Sequence, residues 1–518
     1  MTESQINKAA RVAYANYCEP ENRHYRGNPF IEALGPVLDA REAGRLLRTD
    51  LDYSVEDCQA SPRTRMSYVL ELLNWRLPSG EHIRLERLFS DALRTGYRGR
   101  NPAEISYWSD LREAKEALAA NLTLPPRAQS MAVGFSVIGD SGVGKTAAIR
   151  SISQLYPEVI IHSSYNGKDL NFLQLPIVIV QCPPQGGLAS LCYNIFSAID
   201  RLLGTNYLEK YSRRKSSLSI LGGYLLGLVY AHGIGIIVVD EIQNLTEAKQ
   251  GEPEAMLNFF VMLINALSIP IVVVGTPKAV AILSTALRNA RRFSGFDDPV
   301  FRRMRPGQDF DRFIRNMMKY QYVQNRVDWT PELSEAIYYN SLGITDLIVK
   351  VYILAQIRAI SSEIERLTPQ IIYSVEDNLT VLKPMLEALR SGDDRAMEAY
   401  DDLYDAIDIQ GNVYRATATL SVVNDKGDNQ DLVSDEQENH EGEITDLAPI
   451  QVTPSPSQTI NVRKKSPGST SRRQSKRKKL IFEGGLIHVT TEARRAKVAV
   501  YDALVEADYI QDLNIYLD

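Results

Sequence analysis

The feature that most constrains this chain is a glycine-rich loop that follows a short apolar run, residues 135–138. The loop reads Gly139-Asp140-Ser141-Gly142-Val143-Gly144-Lys145-Thr146. Its glycines permit unusual dihedrals and a close approach, so that backbone N–H groups can wrap around phosphates. Lys145 offers a charge to the β and γ phosphates, Thr146 offers a hydroxyl to Mg²⁺, and a following helix would point its positive end at the same anion. The spacing predicts an ATP-binding loop between a strand and a helix.

A second apolar run, residues 234–239, ends in the acidic pair Asp240 and Glu241. An acid at the tip of a neighbouring strand can hold the water shell of Mg²⁺, so Asp240 is the predicted metal-side residue. Glu241 adds a carboxylate that can orient and deprotonate an attacking water, which favours an ATPase over a kinase. A surface acid after a strand is the alternative for Glu241.

A third run, residues 269–274, leads into Gly275-Thr276-Pro277. The Thr276 hydroxyl could contact the γ-phosphate or the attacking water as a sensor, and a plain turn residue is the alternative. The polar stretch that follows carries Arg288, Arg291 and Arg292. A guanidinium placed in a neighbouring subunit's site could stabilise transition-state charge, and a solvated basic face is the alternative for each arginine.

The apolar runs also set the fold class. Together with residues 175–180, the three runs named above form four short β-branched segments that alternate with helical patterns. Continuous apolar runs of this length are typical of strands buried on both faces of a parallel sheet. The predicted fold is therefore α/β, with a parallel sheet around the phosphate loop.

The rest of the chain divides by composition. Residues 425–446 are rich in acids, and residues 463–479 carry nine Lys or Arg and no acid, so this region cannot bury enough apolar surface to order itself. We predict five segments: a helical N-terminal domain at 1–125, the α/β nucleotide-binding domain at 126–300, a helical lid at 301–408, a disordered acidic then basic linker at 409–479, and a partner-binding element at 480–518.

Whole-chain properties exclude several classes of protein. The 518 residues carry a formal net charge of -6, so any DNA contact must come from a local patch rather than a uniformly basic surface. The cysteines show no metal-ligand spacing, and no apolar run approaches the ~20 residues that span a bilayer. We therefore expect a soluble cytoplasmic protein without a membrane partner. Candidate DNA contacts, each with solvated surface charge as the alternative, are Arg213, Arg214, Lys215 and Lys249.

The motifs, in this order and spacing, resemble those of AAA+ ATPases. More narrowly, residues 25–34, YRGNPFIEAL, and residues 343–350, GITDLIVK, look like the corresponding segments of TnsC, the regulator of Tn-seven-like transposons. The resemblance covers roughly residues 15–400. The N-terminal and lid segments together are more specific than the phosphate loop alone.

This resemblance implies an ATP-dependent regulator that oligomerises on double-stranded DNA as a ring or helical filament. It would link a target selector of the TnsD or TniQ type, at its N-terminal domain, to the TnsA and TnsB transposase; some such transposons choose targets through CRISPR effectors. The resemblance assigns nucleotide roles to Lys145, Thr146, Asp240, Glu241 and Thr276, and the trans-acting finger to Arg291 or Arg292.

One departure from the family concerns the lid. Many AAA+ proteins place an arginine where this chain reads Gly343-Ile344-Thr345-Asp346, so either the lid senses nucleotide without it or Lys350 substitutes. Two other functions stay open: an initiator-like or helicase-loading ATPase, and a scaffold that binds nucleotide but hydrolyses little. Glu241 speaks against the scaffold, whereas the helical front segment and charged tail favour transposition.

Overall fold

The apolar runs form neighbouring strands of one parallel sheet in the computed structural model. The strands, in chain order, are β1 (Val12–Tyr14), β2 (Phe135–Gly139), β3 (Val159–Tyr165), β4 (Lys168–Gln174), β5 (Ile177–Gln181), β6 (Ile236–Asp240), β7 (Ile271–Gly275) and β8 (Val300–Phe301). The larger sheet has the order β5-β6-β7-β2-β8, and each neighbouring pair in it is parallel. The predicted α/β fold and its four strands are confirmed, with boundaries shifted by about two residues.

The structure describes residues 7, 9–119, 132–184, 187–212, 218–248, 252–280, 283, 299–379 and 383–391. All of these belong to one unit, Met1–Ala418. The predicted linker at 409–479 and the element at 480–518 lie outside the described residues. None of the helices within the described ranges is long and apolar enough to cross a membrane.

Helices surround the sheet and form a second layer beyond it. In chain order they are α1 (Pro29–Glu32), α2 (Ala40–Leu46), α3 (Pro62–Leu70), α4 (Gly80–Arg98), α5 (Ile105–Ala119), α6 (Lys145–Ser153), α7 (Leu188–Leu203), α8 (Tyr207–Ser212), α9 (Leu218–Ala231), α10 (Glu252–Leu267), α11 (Gln308–Met317), α12 (Pro331–Ser341), α13 (Thr345–Ser361), α14 (Pro369–Ser374) and α15 (Lys383–Ser391).

Burial explains why the central strands are almost purely β-branched. Every residue of β6 and β7 is buried, and both strands have a neighbour on each side. Side chains that point to either face of such a strand enter a core, so an alternating pattern would leave polar groups buried.

Because the five strands of the larger sheet are parallel, their carboxyl ends meet along one edge of the sheet, where α/β proteins bind their ligands.

A three-stranded sheet lies beside the larger one and was not predicted from the sequence. Its order is β1-β3-β4, with β1 parallel to β3 and β3 antiparallel to β4. The β3–β4 turn is Asn166-Gly167, and both residues have positive φ, 50° and 74°. An Asn-Gly pair between two strands is the strongest short-range hairpin signal, because both positions tolerate this left-handed backbone.

The N-terminal segment packs into two hydrophobic cores. Phe89 of α4 meets Phe135 of β2 edge to face, with ring centroids 5.6 Å apart, and so belongs to the core of the sheet. Trp75 meets Phe313 of α11 at 5.0 Å and belongs to the core formed by α11 to α15. Within the predicted helical segment at 301–408, Phe301 belongs to strand β8, and the described residues from α11 onward form helices joined by turns and loops. The domain boundaries themselves stay a prediction.

A buried ion pair joins α3 to the second core. The Arg65 guanidinium donates to both carboxylate oxygens of Glu365, each at 2.6 Å, and also to the Tyr322 carbonyl at 3.0 Å. Arg65 is 1% exposed. The hydrogen bond from Arg65 is the main reason that the pKa of Glu365 lies below its ordinary value of 4.5. The pair's contribution to stability is therefore present above pH 4.5 and is lost as the pH falls below it.

We expect Arg65→Ala to destabilise the second core by about 3 kcal/mol at pH 7, because it removes a fully buried side chain and leaves the partly buried Glu365 carboxylate without its bidentate partner. Urea unfolding should measure this loss. The matched control is Arg48→Ala, which removes a surface pair with Asp50 whose side chains are 37% and 52% exposed, and should cost about 0–1 kcal/mol. Equal effects of the two substitutions would contradict the structural role given to Arg65.

Candidate nucleotide-binding site

The phosphate loop lies between β2 and α6, as predicted. β2 ends at Gly139 and α6 begins at Lys145. Gly142 and Gly144 have φ of 78° and 99°, in the left-handed region that favours glycine. A Cβ atom on Gly139 would collide with the backbone carbonyl of Phe301 in β8. Gly142 and Gly144 thus shape the turn, and Gly139 permits the close approach of the neighbouring strand β8.

Lys145 lies at the base of this loop and is 9% exposed. Its Nζ donates to the carbonyl oxygens of Gly139 at 2.5 Å and Asp140 at 2.7 Å. The ammonium group is therefore held inside the loop by two backbone acceptors. Loops of this kind can enclose an anion with their backbone N–H groups, and the ammonium of Lys145 lies where it would add positive charge to such a site.

Thr146 and Asp240 are brought together by the sheet rather than by sequence proximity. The Thr146 hydroxyl donates to Asp240 Oδ2 at 2.8 Å. Thr146 lies in the first turn of α6, which follows β2, and β7 lies between β2 and the strand β6 that ends at Asp240. Two hard oxygen ligands therefore meet at one edge of the sheet. In the described part of the chain, no three His, Cys, Asp or Glu side chains form a metal site on their own. The pair fits Mg²⁺, which is commonly held by one or two protein oxygens together with phosphates and waters.

Glu241 follows β6 in a left-handed conformation, with φ of 57°. Its N–H donates to Asp240 Oδ1 at 2.9 Å, and its own carboxylate accepts a hydrogen bond from Gln243 Nε2. Gln243 Oε1 in turn accepts from the backbone N–H of Thr276 at 3.2 Å. The structure thus connects the predicted base and the predicted sensor through one amide.

Gln243 was not among the residues predicted from the sequence. The available signal was weak: a polar residue two positions after the acid, at the start of the 3₁₀ helix Ile242–Glu247. Such residues are common in surface turns, so only its contacts in the folded chain reveal its place in the site. Thr276, whose N–H donates to Gln243, is buried, with 4% of its surface exposed.

A cleft of about 1270 Å³ opens beside the phosphate loop. It is bounded by the loop and α6, by β8 and the chain that follows it, by the start of α13, and by N-terminal residues 73–84. The N–H of Asp346 in α13 donates to the Gly142 carbonyl at 3.0 Å. The core formed by α11 to α15 therefore contacts the phosphate loop directly. The N-terminal segment forms a wall of the cleft, which was not predicted from the sequence.

Lys350, the predicted substitute for the missing arginine, pairs with a carboxylate on its own helix, and whether it senses nucleotide stays a prediction. Lys350 donates to Asp346 at 2.5 Å, one helical turn away, and both side chains are about half exposed. A separate arginine, Arg303, lies 3.3 Å from Asp140 of the loop and lines the cleft. Arg303 lies two residues after β8, so its nearness to the loop depends on that short edge strand of the larger sheet.

The remaining predicted residues lie outside the described part of the chain. These are the candidate finger arginines Arg288, Arg291 and Arg292 and the candidate DNA contacts Arg213, Arg214, Lys215 and Lys249. Their assignments stay predictions.

Residues 100–303 match the model of the family described as "Bacterial TniB protein", a family of transposon-associated AAA+ ATPases. The matched region contains the phosphate loop, the acidic pair and Thr276. It begins just before α5 and ends just after β8. No curated protein matches the chain.

Three solved structures are similar to parts of the chain. They are the Walker-type ATPase PABY2304 of Pyrococcus abyssi (16% identity, 57% of this chain and 78% of that chain, TM-score 0.32), the Aeropyrum pernix ORC1 protein in complex with DNA (17%, 55% and 70%, 0.32) and Cdc6p from Pyrobaculum aerophilum (16%, 51% and 64%, 0.33).

Proposed function

We propose that this protein is an AAA+ ATPase that regulates DNA transposition and assembles on double-stranded DNA in an ATP-dependent manner. The observation that carries the nucleotide part is the 2.8 Å hydrogen bond between Thr146 and Asp240. It places the end of the phosphate loop against the acidic strand end, with Glu241 and Thr276 beside them. If the loop were only a structural turn, its end would not need a hydrogen bond to a carboxylate from β6.

ATP binding is proposed to exchange the two bonds of Lys145 to loop carbonyls for contacts with phosphate oxygens. The positive end of α6 and the loop N–H groups favour the same anion. Thr146 and Asp240 are the residues that would hold Mg²⁺, and the ion would supply positive charge to neutralise charge that develops on the phosphates. The cleft beside the loop has room for the rest of the nucleotide.

Hydrolysis is proposed to use Glu241 as the general base. Its carboxylate orients a water and accepts a proton as the water oxygen bonds to the γ-phosphorus. The bond between that phosphorus and the bridging oxygen breaks, so that ADP and phosphate leave. Thr276 lies at the neighbouring strand end, where it is proposed to respond to the γ-phosphate.

The transposition part rests on the TniB match over residues 100–303 and on the TnsC-like segments at 25–34 and 343–350. We infer a TnsC-like adaptor whose partners are a TnsD- or TniQ-type selector at the N-terminal segment and the TnsA and TnsB transposase at residues 480–518. Arg291 or Arg292 is proposed to complete the site of a neighbouring subunit. Such a role places the protein in the cytoplasm with DNA.

Electron microscopy of the purified chain with duplex DNA tests this function. We expect ordered assemblies on DNA with Mg²⁺ and a slowly hydrolysed ATP analogue, and few or none with ADP or without nucleotide. Binding should be largely independent of DNA sequence and should weaken strongly with salt, since neutralised phosphates release counterions. The same assemblies in the absence of nucleotide, or none on DNA with the analogue, would contradict the proposal.

A further inference from the structure

Gln243 uses the two ends of one amide to contact two different parts of the nucleotide site. Its Nε2 donates to the carboxylate of Glu241, and its Oε1 accepts from the Thr276 N–H at 3.2 Å. Glu241 belongs to the end of β6 and Thr276 to the end of β7. No other side-chain bond to the Glu241 carboxylate is recorded among the described residues.

The backbone around Gln243 is fixed independently of these contacts. The Asn244 N–H donates to the Glu241 carbonyl at 3.0 Å, and the Asn244 side chain donates to the Cys182 carbonyl at 2.9 Å. Gly275 leaves no spare room, since a Cβ there would lie 2.9 Å from Gln243 Oε1. The amide of Gln243 therefore sits on a held turn against a closely packed strand end, which limits where its two polar atoms can go.

We propose that Gln243 is a positioning residue that sets the direction of the Glu241 carboxylate and ties it to the loop at Thr276. When Thr276 moves, the Gln243 Oε1 that accepts from its N–H moves with it. The Nε2 of the same amide, which donates to the Glu241 carboxylate, then moves too. The occupancy of the site beside Thr276 would thus control whether Glu241 can align a water. This inference rests on the proposed hydrolysis of ATP and adds the residue that couples its two strand ends.

A kcat–KM comparison of Gln243→Ala with the parent tests the coupling. We expect kcat to fall by about 10–100-fold, because a misplaced base loses alignment with the water, while KM and nucleotide affinity stay within about 2-fold. Gln243→Glu separates the two bonds: it keeps an acceptor for the Thr276 N–H but removes the donor to Glu241. Its kcat should be as low as that of Gln243→Ala.

A double substitution shows whether Gln243 acts through Glu241. In a Glu241→Gln background, adding Gln243→Ala should change the residual rate by less than about 2-fold, since residues that act as a unit are not additive. A further 10-fold loss would overturn the proposed route. Asn244→Ala is the matched control on the same turn, and it should lower stability while keeping kcat within about 3-fold.

The outcomes separate this inference from the proposed function. If the parent hydrolyses ATP and both Gln243 variants do so at the parental rate, the positioning role is wrong and the ATPase stands. If Asn244→Ala lowers kcat as much as Gln243→Ala, integrity of the turn explains both and the specific role is overturned. If the parent does not hydrolyse ATP with or without duplex DNA, both proposals fail together.

Discussion

Glu241→Gln is expected to lower the rate of ATP hydrolysis by about 10²–10⁴-fold, the usual worth of a positioned general base. The substitution keeps the size of the side chain and replaces the carboxylate by a neutral amide that cannot act as a base. ATP affinity should stay within about 2-fold, because the contacts that hold the phosphate loop together come from Lys145 and Thr146. Phosphate release under saturating ATP and equilibrium binding of a fluorescent ATP analogue measure the two quantities separately.

The control for this experiment is Glu254→Gln, which changes an exposed glutamate on α10. It should leave both turnover and affinity at parental values. Hydrolysis by Glu241→Gln at the parental rate would remove Glu241 from the role of base. The scaffold alternative predicts a different pattern, in which the parent already turns over ATP as slowly as the variant.

Continuous patterns in the chain predicted the sheet and the residues at its edge. β6 and β7 are buried throughout, so the positions before their carboxyl ends had to be apolar and the runs were visible without any structure. The polar residues that end these runs, Asp240 and Thr276, could therefore be assigned to one edge of the sheet. Strand order then determined that Thr146 and Asp240 would touch, which the spacing alone did not require.

Elements that depend on contacts between residues far apart in the chain could not be predicted from the sequence. β8 has only two residues and is defined by pairing with β2. The wall of the cleft at residues 73–84 and the packing of Trp75 on Phe313 join positions far apart in the chain. Periodicity reports the local burial of a segment, and it does not say which core covers that segment.

The hairpin β3–β4 was missed for a different reason. Its strands carry several polar residues, and only part of their surface is buried, so the apolar runs that revealed the larger sheet are absent. The Asn166-Gly167 turn was the better signal. Gln243 was missed because its importance comes from its contacts with Glu241 and Thr276, and nothing in its sequence neighbourhood distinguishes it from an ordinary turn residue.

The affinity for ATP of Lys145→Ala compared with the parent tests the central claim most directly. Hydrogen bonds between charged groups are worth about 1.5–3 kcal/mol each, so loss of the ammonium should weaken binding by at least about 100-fold. Lys168→Ala, at an exposed position in β4, is the matched control and should bind like the parent. Thermal melting should verify that Lys145→Ala is folded. We expect Mg²⁺-dependent ATP binding by the parent and by Lys168→Ala, and its loss in Lys145→Ala. Equal affinity in all three folded proteins would show that this loop does not bind ATP through Lys145.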